Sequence, residues 1–423
     1  MKKFFLALAF MLTAANFSAE ASELDAAEIR MICAVCSLGA YSDDESYFLR
    51  SMLTARGWQI EKISRRTNRA YAKAYLVSKG DVKILAVAGT ETIKDVEVDF
   101  RVGRVRLEDN IVLAAKEKNP AEKLFVHRGF RDYADEVLSD GLAERLRASL
   151  EANPNETLYL TGHSLGGAVA TIAAIRLSDS GVPKSRVKVI SFGAPAVGSQ
   201  ALAGAYGDKI DLTRVEMSGD VIKKSLLALG YVHFGNKLEY QQSISADKPA
   251  HKMAVYLDCA LRDYINAGGN LRHDTQDKIA AQIYVAPIFL VEDSFHESDE
   301  QIILTALDDG LTNHFDSLTF APEQKLVLKA DEILDENFDE HITAGKDRGC
   351  KYVLIRVLRA KKIRDAPLGD RLVTLEEIIF DTNGALLNMR TSGMSTENLT
   401  IFEAAIAAQE NLLESTKLFF MSR

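Results

Sequence analysis

The chain has 423 residues, of which 47% are hydrophobic and 26% charged, and it carries a net charge of −9. That composition is globular, and the length suits two or three domains whose cores need neither disulfide staples nor metals. The acidic balance argues against nucleic acid or anionic lipid headgroups as the main partner.

Lys2 and Lys3, the apolar run Phe4 to Phe17, and Ala19-Glu20-Ala21 form the three-part pattern of a secretory signal. Residues 1–21 are therefore set apart from the fold, and a secreted or periplasmic location is expected. The run is shorter than the roughly 20 apolar residues that span a bilayer. Between about 24 and 265 strand and helix alternate, which predicts an α/β domain over 22–265 with a central, mostly parallel sheet. Ala26–Ala40 reads as a helix with Ile29, Cys33, Cys36 and Ala40 on one face. The two cysteines are accordingly read as small buried apolar residues. No second CxxC and no spaced histidine pair accompanies them, so no metal is expected. Ala74–Ser78 and Ile84–Ala88 read as strands, Asp135–Leu150 as an amphipathic helix, and Thr157–Thr161 as a strand. An Ala-rich helix, Gly166–Leu177, precedes the strands Val187–Phe192 and Leu212–Met217.

The stretch Asn266–Asp277, with Gly268-Gly269-Asn270, reads as a boundary. Beyond it, residues 278–423 predict a smaller C-terminal α/β (α+β) domain. Its strands are expected at Ile283–Phe289, Ser317–Phe320 and Tyr352–Arg359, and its helices at Asp299–Leu311 and Glu323–Phe338. Leu372–Phe380 and Ala385–Arg390 flank Thr382-Asn383-Gly384 as a hairpin. Asn398–Leu413 closes the chain as a helix capped by Asn398 or Thr400. This domain is a candidate for docking a partner in the cell envelope.

The strongest chemical signal is Gly162-His163-Ser164-Leu165-Gly166-Gly167, between a strand and a helix. That is the context a G-x-S-x-G turn requires on an α/β-hydrolase fold. Glycines two residues either side leave room for a sharp bend, which lifts the Ser164 hydroxyl clear of the sheet. The following helix points N–H groups at the same spot, where negative charge is stabilised. A serine hydroxyl needs a base, and on this fold the partners follow in the order Ser, acid, His. Asp220, in Ser218-Gly219-Asp220 at the end of Leu212–Met217, is the expected acid. His127 and His163 precede Ser164. Of the six later histidines, His296, His314 and His341 fall in the second domain and His273 in the boundary. His233 lies in Gly230–Gly235, which reads as a buried strand. His251 stands where a loop meets a helix running through Tyr256, a better place for a base. Order alone leaves both open.

These residues resemble the class 3 (fungal-type) lipase family over roughly 28–262. Gly162–Gly167 is similar to its nucleophile turn, and Ser191-Phe192-Gly193-Ala194-Pro195-Ala196-Val197-Gly198 to its next segment. Val126-His127-Arg128-Gly129-Phe130 and Gly39-Ala40-Tyr41 resemble earlier family stretches. The resemblance implies Ser164 as nucleophile, Asp220 as acid and His251, with its nearby Tyr256, as base, while His233 carries no proton transfer. It also implies an oxyanion hole from the N–H groups of Leu165 and Thr90, the latter in Val87-Ala88-Gly89-Thr90. The expected substrate is a lipid or small ester, with transient contact to a lipid surface and no cofactor. The sequence departs from the family in Ala88 before Gly-Thr, where arginine is usual. It also has Val96 where tryptophan is common. The expected flap, Glu91 to Asn110, is heavily charged with isolated valines, unlike the broad apolar face of an oil-binding lid.

Overall fold

The computed structural model describes residues 22–41, 50–66, 71–89, 103–107, 124–243, 248–272, 278–291, 294–329, 338–363 and 370–422. The expected signal at 1–21, and with it Thr90, most of the expected flap and His273, lies outside the described residues. The chain divides into two units, Met1–Gln242 with Pro249–Ala260, and Ser243–Lys248 with Leu261–Arg423.

The first unit opens with helix α1, residues 22–39. Cys33 and Cys36 are fully buried on it and form no disulfide. Burial pushes the Cys33 thiol up to about 12, against a weaker lowering by a hydrogen bond with Thr161. Such thiols are unreactive, in keeping with the apolar reading. The strands are β1 (Gln59–Arg66), β2 (Tyr71–Lys79), β3 (Val82–Val87), β4 (Arg104–Arg106), β5 (Phe125–His127), β6 (Thr157–His163), β7 (Val187–Phe192), β8 (Asp211–Met217) and β9 (Asn236–Tyr240). Seven of them form one sheet in the order β1-β2-β3-β6-β7-β8-β9. β1, β2 and β3 are antiparallel neighbours, and from β3 to β9 every pairing is parallel. The mostly parallel α/β sheet is the one the alternation predicts. It brings the ends of β6 and β8 to one edge, separated only by β7.

The expected single helix Asp135–Leu150 is in fact two, α2 (Arg128–Val137) and α3 (Leu142–Ala152). Asp140 and Gly141 take φ of 50° and 79° between them, and that left-handed bend ends one helix and starts the next. Helix α4 (Leu165–Asp179) is buried on almost every side from Leu165 to Leu177. Its Ala-rich, apolar surface suits a helix enclosed between the sheet and its neighbours. A short helix, α5 (Gln200–Tyr206), precedes β8, and α6 (Met253–Asn266) follows β9.

The second unit contains β10 (Ile283–Val291), α7 (Glu297–His314), β11 (Leu318–Phe320), β12 (Lys325–Leu328), α8 (Asp339–Asp347), β13 (Tyr352–Lys362), β14 (Arg371–Asp381), β15 (Leu386–Ser395) and α9 (Ile401–Met421). β10 runs parallel to β11, β12 and β13, and β13-β14-β15 form an antiparallel meander. The expected helix Glu323–Phe338 is overturned at its start, because Lys325–Leu328 pairs with Ile288–Val291 as a strand. A short apolar run gains more from an adjacent strand than from one helical turn. Helix α9 begins at Thr400, whose side chain and Glu403 form a reciprocal capping box. Across the meander, buried Arg356 bonds Asp308, and buried Glu377 accepts from Thr416 at 2.6 Å.

Candidate active site

Strand β6 ends at His163, and Ser164 then takes φ 56° and ψ −125° before α4 begins at Leu165. Positive φ at a residue with a side chain is strained, and such strain persists only when surroundings over-determine it. The Ser164 N–H donates to the Phe192 carbonyl at 2.9 Å, which ties the turn to β7. A Cβ on Gly166 would strike the Val87 carbonyl and the Ala88–Gly89 backbone. Only glycine lets the turn approach β3 so closely.

The structure brings Ser164, His251 and Asp220 into one hydrogen-bonded line. His251 Nε2 lies 2.9 Å from Ser164 Oγ, and His251 Nδ1 lies 2.8 Å from Asp220 Oδ2. Asp220 follows β8 after the turn at Gly219, which takes φ 85°. Its Oδ2 also accepts from the Tyr256 hydroxyl at 2.6 Å, and its Oδ1 from the Ile222 N–H at 2.9 Å. Burial raises the Asp220 carboxyl, but the bond and charge of His251, Tyr256 and the Ile222 N–H together outweigh it, so its pKa falls below the ordinary value. An ionised Asp220 places the imidazole proton on Nδ1 and leaves Nε2 as the acceptor for the Ser164 hydroxyl. Tyr256 accepts from the Met217 N–H at 3.1 Å, which fixes its donation to the carboxylate. Burial and the Asp220 charge raise its pKa well above 10.0, so it remains a donor.

Leu165 is the first residue of α4, and the N–H groups of a helix's first turn lack intrahelical partners. Its N–H is therefore available beside Ser164. Thr90, the other expected donor, lies outside the described residues, which reach Gly89. His233 is not part of the line. Its Nε2 bonds the Lys223 carbonyl at 2.7 Å, and Val232 makes one bridge to Gly198 in place of the expected buried strand.

Two residues beside the line escaped sequence reasoning. His163 packs against His251 with ring centroids 4.6 Å apart, and its Nδ1 lies 2.7 Å from the Tyr41 hydroxyl. A separation of 122 residues between Tyr41 and His163 hides this contact from local patterns. Burial, reinforced by His251, drives the His163 pKa well below 6.5. A histidine held neutral takes up a proton only on unfolding, so below pH 6.5 protonation favours the unfolded chain. Its contribution to stability is complete above that pH and is lost as pH falls, by about 1.4 kcal/mol per pH unit while the folded ring stays neutral. The melting temperature should therefore fall between pH 7 and 5, and less steeply in His163→Phe. Equal slopes in differential scanning fluorimetry would remove His163 from the account.

A serine, a histidine and a buried carboxylate aligned at a strand–turn–helix bend form the constellation of a serine hydrolase. Residues 84–228 match the family described as lipase (class 3). The secreted mono- and diacylglycerol lipase A of Penicillium cyclopium is 38% identical over 100 residues, covering 23% of this chain and 32% of that protein. The chain thus spans about a third of that relative's length. The phospholipase A1-II 7 of Oryza sativa subsp. indica is 29% identical over 188 residues, covering 37% of this chain and 46% of its own. Among solved structures, the lipase from Rhizopus microsporus var. chinensis aligns with a TM-score of 0.42 and 19% identity, over 51% of this chain and 74% of that one.

Proposed function

We propose that the chain is an exported α/β-hydrolase that cleaves carboxyl esters of lipids through an acyl-enzyme on Ser164. The observation that carries this reading is the continuous line from Ser164 Oγ through His251 to Asp220, with both links under 3 Å. In it, His251 takes the Ser164 proton as the hydroxyl attacks the ester carbonyl. The oxyanion rests on the N–H groups of Leu165 and Thr90, each worth about 3 kcal/mol or more in such sites. His251 protonates the departing alcohol, then activates the water that releases the acid. Export is supported by the N-terminal pattern and by relatives described as secreted. A second reading, a phospholipase A1 with the same machinery, draws on the rice relative.

A fluorophosphonate probe tests the chemistry. It should add one label to the full chain, found by peptide mass on Ser164 and absent from Ser164→Ala. An unlabelled, folded chain would leave a silent hydrolase fold. Monoacylglycerol, diacylglycerol and phosphatidylcholine assayed side by side then separate the two readings by the ester that turns over fastest.

A further inference from the structure

From Val221 to Leu238 the sequence holds no aspartate or glutamate, although 60 of the 423 residues are acidic. This stretch begins directly after Asp220 with two short turns, Ile222–Lys224 and Leu227–Leu229. They split their apolar side chains between two directions. Ile222 and Leu226 are 5% and 1% exposed and anchor the loop, whereas Val221, Leu227 and Leu229 are 72%, 41% and 49% exposed. Among the described residues these three apolar side chains remain largely open to solvent within nine residues, and patches of this kind mark interaction sites.

Cations accompany the apolar side chains. Lys224 is exposed beside Leu227, and Arg104 donates from Nη2 to the Leu229 carbonyl. Lys223 is committed elsewhere, with its Nζ 3.6 Å from Glu216 and 3.5 Å from Glu239. A cleft of about 490 Å³ adjoins the loop, where Lys223, Lys224 and Lys237 face Glu216, Asp220 and Glu239, so its charge is balanced and the outward cations, not the cleft, carry the attraction to anionic headgroups.

We propose that the 221–229 loop docks the chain on a lipid surface bearing anionic headgroups. This deepens the hydrolase reading and rests on it, since it makes the substrate an ester held in a membrane or aggregate. Val221, Leu227 and Leu229 enter the acyl boundary, and Lys224 and Arg104 stay at headgroup level, the division of labour of an interfacial segment. The overall charge of −9 opposes approach at long range. At physiological ionic strength that repulsion is screened beyond about 8 Å, so the loop's own cations govern contact. Each contributes about fivefold to partition onto an anionic leaflet. The loop continues directly from Asp220, the acid that holds His251.

The test uses the full chain as Ser164→Ala, so that lipid survives, sedimented with vesicles of phosphatidylcholine alone or mixed with phosphatidylglycerol. Binding to mixed vesicles should exceed binding to phosphatidylcholine by about 25-fold, the product of the two cations' contributions, and fall with salt. Leu227→Ser with Leu229→Ser should weaken it by about tenfold or more, and Lys224→Gln by about fivefold, at unchanged melting temperature. Should the double variant melt early, Val221→Ser and Lys224→Gln carry the test alone. No vesicle binding, or binding indifferent to these substitutions, overturns the proposal. So does a dimer in sedimentation equilibrium that the same substitutions dissolve, since the loop would then serve a second copy. Hydrolysis of a soluble p-nitrophenyl ester by the wild type separates the failures. A chain that cleaves it without binding vesicles loses the docking loop alone. One that binds vesicles and is inert to both ester and fluorophosphonate loses the hydrolase reading alone.

Discussion

Ser164→Ala is expected to lower kcat for a soluble p-nitrophenyl ester by about 10⁶-fold, the scale seen when a serine hydrolase loses its nucleophile. The hydroxyl is the only group removed, and the alanine inherits the same backbone. The turn stays tied by the Ser164 N–H bond to Phe192, which a side-chain change leaves alone. Circular dichroism should therefore overlay that of the wild type. Some acceleration over water persists, because donors such as the Leu165 N–H still meet the developing oxyanion. A variant that retained a tenth of the wild-type rate would remove Ser164 from the chemistry.

His251→Ala should cost a comparable factor, about 10⁶ in kcat, because the groups of such a line act as a unit and losing one disables the rest. Ser164 Oγ would lose the acceptor 2.9 Å away, and Asp220 Oδ2 would keep only the Tyr256 hydroxyl and lose the imidazole. His233→Ala is the matched control. That ring spends its Nε2 on the Lys223 carbonyl, so its removal should lower the melting temperature and leave kcat within about tenfold. Stopped assays at matched folded fraction separate the two effects. If His233→Ala silenced the chain and His251→Ala did not, the base would have been misassigned.

The bend around Ser164 was legible in the sequence because its chemistry is local. A strand, two flanking glycines and an Ala-rich helix lie within about twenty residues and constrain one another. Asp220 could be reached from chain order and strand ends. The loop-to-helix position of His251 favoured it over His233, and the family resemblance strengthened that preference. Contacts across long separations were not legible. The Tyr41–His163 pair joins the end of α1 to the end of β6, and no period or motif announces it. The bond from Tyr256 to Asp220 spans 36 residues and is hidden in the same way. Local errors had local causes. Asp135–Leu150 reads as one apolar stripe, but Gly141 bends it in two, and Lys325–Leu328 is too short for its period to decide between helix and strand. Thr90 came from resemblance and lies outside the described residues.

At Gly166 two stretches of main chain touch with nothing between them, and a methyl group there would strike the Val87 carbonyl. Any selection that diversifies this protein, natural or in a laboratory, therefore finds position 166 closed to every other amino acid. New preferences for chain length or headgroup have to be written into the loops around the bend. A saturation library would waste its members at 166 and yield its useful variants among residues that never meet the reacting bond.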